Sequence, residues 1–133
     1  MAPSHEELAA AAEQAEAEAR ATLWSLAFSI SSVKAIVPLT LELEAGNYLA
    51  WRRQFEVTLT KYALDEHIAE PAANGTTVVD PAWRCRDALV LSWLYGAISP
   101  SLQSMLVHSS STTTARSVWQ EIEDLHDTSQ TYL

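Results

Sequence analysis

Asn47-Tyr48-Leu49-Ala50-Trp51-Arg52-Arg53-Gln54-Phe55-Glu56-Val57-Thr58-Leu59-Thr60-Lys61-Tyr62 is the stretch that decides the fold. Its large residues fall at Tyr48, Trp51, Phe55, Leu59 and Tyr62, in steps of three and four, which is one face of an α-helix. Asn47 stands just before the run and suits an N-cap, because its side-chain oxygen can accept from a free N–H of the first turn. Gly46 lets the chain turn into that cap. Four aromatic residues on one stripe make a face that has to be covered.

The chain of 133 residues is the size of one domain and buries a core without staples. An apolar fraction of 48% with five Trp opposes wholesale disorder. Asp and Glu number 17 against 8 Lys and Arg, a net charge of −9, which opposes a grip on nucleic acid through its phosphates. Cys85 is the one cysteine, so no internal disulfide or multi-cysteine metal site can form. A reducing compartment fits this. The acidic, Ala/Glu-rich N-terminus lacks the basic and apolar regions of a signal peptide, and the expected location is the cytoplasm. The most apolar window, 24–37, holds Lys34 and four serines and is too short to span a bilayer, so no membrane partner is expected.

Ser4 and Glu7 form a capping box that opens an Ala- and Glu-rich helix running to about Ser31. Leu8, Ala12, Ala15, Ala19, Leu23, Leu26 and Ile30 stripe it. The Ala half can bury little, whereas Trp24, Leu26 and Phe28 give the second half more to dock. The division expected is a partly solvated arm, 1–31, and a helical domain, 32–133. The arm is either solvated or, given its heptad-like stripe, a coiled-coil partner. Val37 to Leu43 alternates and reads as an extended edge, Pro38 excluding a central strand. The helix after Asn47 ends near Ala63, with a short turn at 64–69. Pro71, Asn74 and Gly75 mark a loop. Asp80-Pro81 restarts helix with a cap and a first-turn proline, and Trp83, Leu89, Val90, Trp93, Leu94 and Ala97 give its face. Ser99-Pro100 repeats the device for a short helix over 102–107. A Ser/Thr loop follows. Thr113 or Thr114 caps a last helix with Ala115, Val118, Trp119, Ile122 and Leu125 at helical spacing, fraying after Asp127. The sum is an all-α bundle of about five helices.

Signs of catalysis are absent from the sequence. Three unclustered glycines make no phosphate loop, and neither a nucleophile elbow nor an H-E-x-x-H pair is present. The four His are scattered and read as solvated or capping groups; Cys85, between Arg84 and Arg86, reads as an idle thiol. Hence no catalytic residue, no metal ligand, no cofactor and no small-molecule substrate is expected. Arg52, Arg53, Arg84 and Arg86 form a small basic cluster with aromatics interleaved, the pattern of a weak single-stranded RNA contact. The plainer reading pairs Arg52 with Glu56 and Arg84 or Arg86 with Asp80 or Asp87. Asp87 itself reads as a cap or a partner within the bundle.

Three blocks together resemble a known family. They are Asn47-Tyr48-x-x-Trp51 with Phe55, Leu59 and Tyr62-x-Leu64-x-x-His67-Ile68; Trp83 and Asp87 with Leu91-Ser92-Trp93-Leu94 and Ile98-Ser99-Pro100-x-Leu102; and Thr113-Thr114-Ala115-Arg116-x-Val118-Trp119. In order and spacing they resemble the N-terminal Gag region of plant copia-type LTR retrotransposons, over roughly 39–129. The resemblance implies a structural polypeptide: the helical, amino-terminal part of a capsid-like domain whose subunits associate around RNA in the cytoplasm. It carries over Asn47, Tyr48, Trp51, Phe55, Trp83, Asp87, Trp93 and Trp119 as residues that define the fold. Against the family pattern the chain reads as truncated, stopping at Leu133 before further helices. The sequence also lacks the zinc knuckle by which many such Gags bind RNA. The expected partners are therefore copies of itself or other Gag-like chains, with part of the Asn47 or Trp119 helix left uncovered for them.

Overall fold

The computed structural model describes residues 2–70, 79–106 and 113–131. The expected loop at Pro71, Asn74 and Gly75, and the Ser/Thr loop up to Thr112, lie outside them. Five helices form: α1 His5–Phe28, α2 Tyr48–Lys61, α3 Pro81–Gly96, α4 Pro100–Met105 and α5 Ala115–Thr131. Single turns of 3-10 helix stand at Val33–Ala35, Leu43–Ala45 and Asp65–His67. No strand forms among the described residues, and the protein is an all-α bundle.

The stripe on α2 is the centre of the core. Tyr48, Trp51, Phe55 and Leu59 are buried, and Tyr62 is half-buried. Trp51 meets Phe55 at 5.2 Å and Trp119 of α5 at 5.6 Å between ring centroids. α3 and α5 pack against each other, bringing Val90, Trp93 and Leu94 alongside Ala115, Val118 and Ile122 in the same core. Each such side chain taken from water contributes on the order of 1.5–3 kcal/mol. Part of the Asn47 helix is left uncovered, as expected, but not on its aromatic stripe. Trp51 and Phe55 are fully covered and Trp119 is 3% exposed, because α2 and α5 cover each other. What α2 leaves outside is a different face, with Leu49 and Val57.

The segment before α2 is not a strand. Val33, Val37 and Leu41 are buried four residues apart, and the extended part makes one parallel bridge, Leu41 to Ile98. Leu41 N–H donates to the Ala97 carbonyl and Ser99 N–H donates back to the Leu41 carbonyl, both at 2.9 Å. The Trp51 indole N–H also donates to the Ala97 carbonyl at 2.9 Å. One carbonyl at the end of α3 thus ties the linker and α2 together. The linker crosses the end of α3 closely: a Cβ on Gly96 would lie 3.0 Å from Val33 Cγ1.

α1 divides in two. Every side chain from His5 to Thr22 is exposed, and docking begins at Leu23 and Trp24. Leu26 and Phe28 do not join it; they remain 53% and 49% exposed, whereas Ala27 is buried. The docked face follows Leu23, Trp24, Ala27 and Ile30, one residue round the helix from the stripe through Leu26. Trp24 anchors it, its indole N–H donating to the Ala63 carbonyl at 3.0 Å under the guanidinium of Arg86, 3.8 Å from the ring centroid. α5 also runs on to Thr131 rather than fraying after Asp127.

The helix ends follow from local chemistry. Ser4, Asp80 and Ser99 accept from the third residue on, and Pro81 and Pro100 occupy first-turn positions with no N–H to lose. Thr114 caps α5, accepting from Ser117 N–H while Ser117 Oγ accepts from Thr114 N–H. Asn47 stands before α2 but does not cap it with its side chain. Its Oδ1 accepts from Glu42 N–H and its Nδ2 donates to the Thr40 carbonyl, so it pins the linker instead. Gly46, at φ 66, supplies the left-handed turn beside it.

At the other end of α2, Leu64 N–H reaches the Leu59 carbonyl at 2.8 Å and Ala63 N–H the Thr60 carbonyl at 3.1 Å, a Schellman closure. The left-handed position, φ 57, is held by Ala63, where a Cβ is strained. Ala63→Gly is expected to raise unfolding stability by about 1 kcal/mol. Urea unfolding checks this as a higher midpoint with an unchanged slope; a lower midpoint contradicts it.

Candidate functional site

Asp87, the one acidic residue of α3, is brought inside, 5% exposed, because it lies one turn after Trp83 on the face that meets α5. Its Oδ1 is 2.9 Å from His67 Nδ1, and its Oδ2 accepts from Ala115 N–H at 3.1 Å. A carboxylate only accepts, so the His67 proton sits on Nδ1. One side chain thus joins the turn after α2, the middle of α3 and the start of α5. At that start the helix dipole also favours its negative charge. Trp83 lies against His67, ring centroids 4.8 Å apart and planes tilted by 37°.

An aspartate holding a histidine by Nδ1 is half of a general-base arrangement. Here the geometry closes it off. The His67 side chain is fully buried, and Nε2, the atom that would take a proton, has no hydrogen-bond partner; Glu66 lies 3.7 Å away. Both partners are buried, and the pair fastens helices. The expectation of a solvated or capping histidine is corrected for His67. His126 is corrected too: it stacks on Tyr48 at 4.1 Å, planes 20° apart. His108 lies outside the described residues. Cys85 is exposed. Among the described residues no group of three or more His, Cys, Asp or Glu is placed to hold a metal ion.

The arginines expected to cluster are dispersed in their contacts. Arg52 Nε meets Glu56 at 2.7 Å, and Nη1 meets the Tyr48 hydroxyl at 3.0 Å and Glu123 of α5 at 3.3 Å. Its guanidinium also lies over Trp119, so it is a strut between α2 and α5. The hydrogen bond to Glu56 raises its pKa further above the ordinary arginine value. Burial pushes the Tyr48 hydroxyl up, with Arg52 acting against it. Arg86 covers Trp24 rather than pairing with Asp80 or Asp87, because Asp80 is turned to the Trp83 N–H and Asp87 inward. Arg53 and Arg84 are exposed. Of the expected fold-defining residues, Tyr48, Trp51, Phe55, Asp87, Trp93 and Trp119 are buried together and Trp83 is half-buried against His67.

Sequence reasoning missed Arg116, which donates to the Ile68 carbonyl at 2.7 Å and to Gln120 at 2.9 Å, tying the turn after α2 to α5. The one signal for it and for His67 is that both stand inside the blocks, with no role attached.

Compared with known proteins, the chain is 31% identical over 96 residues to the retrovirus-related Pol polyprotein from transposon RE2 of Arabidopsis thaliana. The likeness supports a plant retrotransposon origin. It takes in 64% of this chain and 6% of that polyprotein, so the chain spans a small part of the relative's length. No family model and no solved structure matches. No helix among the described residues is long and apolar enough to cross a membrane.

Asp87→Ala is expected to cost about 2–5 kcal/mol, because it leaves two buried donors, His67 Nδ1–H and Ala115 N–H, without an acceptor. Equilibrium urea unfolding measures it. A loss below about 0.5 kcal/mol, the range of ordinary surface changes, contradicts the fastening role.

Proposed function

We propose that this chain is a non-enzymatic structural module: the N-terminal, capsid-like Gag region of a copia-type element, acting by association with copies of itself or with Gag-type chains. The observation that carries this reading is how the block residues are used. Trp51, Asp87, Trp93 and Trp119 all go into joining helices. The only buried acid–histidine pair among the described residues is sealed. What remains at the surface is apolar side chains and charge, the material of protein contacts. The likeness to a transposon polyprotein and the helical bundle support the same reading. The cytoplasmic location and the absence of a nucleic-acid role belong to this proposal; the net charge of −9 supports the second.

Sedimentation velocity over rising micromolar concentrations tests it, alone and mixed with the matched segment of the Arabidopsis polyprotein. The expected result is a sedimentation coefficient that climbs with concentration or on mixing. A single monomeric species under both conditions overturns the proposal.

A further inference from the structure

Two surfaces of this molecule are complementary in chemistry, and no contact among the described residues joins them. One is convex. The outer face of α2 presents Leu49, 74% exposed, and Val57, 62% exposed, with Arg53 between them. The steps are four residues each, so the three side chains lie along one ridge about 12 Å long. The other surface is concave. A groove of about 500 Å³ runs between the turn before α2, α4 and the far end of α5, within the size range of pockets that seat a ligand. Leu43, Leu102, Met105 and Leu125 form its apolar part, and Glu42 and Glu44 stand on its rim. Met105 is 49% exposed there. No residue of α2 lines it.

The charges are complementary. Arg53, Glu42 and Glu44 are all exposed, and no ion pair holds any of them among the described residues, in contrast to Arg52, which is held by Glu56 and Glu123. A ridge of apolar–cation–apolar side chains meets a groove with an apolar floor and an acidic rim. The ridge points away from its own bundle and lies apart from the groove, so the two can meet only between copies.

We propose that the α2 ridge of one copy seats in the α4–α5 groove of a second copy, with Leu49 and Val57 on the apolar floor and Arg53 between Glu42 and Glu44. This rests on the self-association reading above and supplies its surface. Ridge and groove are different patches, so the contact is head-to-tail. A rotation that closes gives a ring, and one that does not gives a growing chain.

Charge reversal tests it in sedimentation velocity on the full chain. The variants are Arg53→Glu, the pair Glu42→Arg with Glu44→Arg, and all three substitutions in one chain. All three positions are exposed, so circular dichroism is expected to match the unaltered protein. Either reversal alone is expected to weaken association about tenfold or more, since like charges then face each other. The triple variant, and a mixture of the two reversed proteins, are expected to recover it. If the unaltered protein associates and neither reversal changes its constant, this contact is wrong and self-association stands by another surface. Reversals that weaken association without recovery in the triple variant also overturn the pairing. An unaltered protein that stays monomeric overturns the contact together with the reading beneath it.

Discussion

The structure depends on the burial of Trp51 with its indole N–H satisfied. A tryptophan at the centre of a bundle brings a large apolar area and one polar atom, and the polar atom costs a few kcal/mol if it finds no partner. Here the partner is the Ala97 carbonyl, freed because α3 ends at Gly96. That carbonyl also accepts from Leu41. The same atom therefore fixes where α2 lies against α3 and where the linker crosses. The two proline-capped helices follow from that stop: α3 has to end for Ala97 to turn its carbonyl inward, and Ser99-Pro100 restarts the chain in a new direction.

A second fastening joins α3, α5 and the turn after α2. Asp87 holds His67 and the first turn of α5, and Arg116 returns from α5 to the turn that carries His67. Together with Arg52 between Glu56 and Glu123, these polar groups set the registration of helices whose apolar packing alone would tolerate sliding. Asp87, His67, Arg116 and Arg52 are all engaged in holding helices, and the proposed function turns to the exterior.

Much of this was legible in the residues. The steps from Tyr48 to Leu59 gave the central helix, because a 3.6-residue period leaves a plain mark when the side chains are large. Asp80-Pro81 and Ser99-Pro100 gave two helix starts, because capping is local chemistry. The pairing of Arg52 with Glu56 was legible for the same reason. What distance in sequence hides was not. His67 was read as a solvated or capping histidine because its partner is Asp87, twenty residues on. Asn47 was in the right place with the wrong partners, since its side chain reaches back to Thr40 and Glu42. Arg86 looked available to a carboxylate until Trp24, from another helix, took its face. That α5 lies over the stripe of α2 was not legible, because nothing in the stripe's own sequence names its cover.

Native-state hydrogen exchange of the tryptophan indoles tests the central claim directly. Trp51 and Trp24 both donate to backbone carbonyls, to Ala97 and Ala63 respectively. If Trp51 is the keystone, its indole proton exchanges only when the whole bundle unfolds, with a protection free energy equal to the global stability. The Trp24 proton, at the root of an arm exposed as far as Thr22, exchanges by local undocking at lower free energy. A Trp51 indole that exchanges as readily as that of Trp24 would contradict the account.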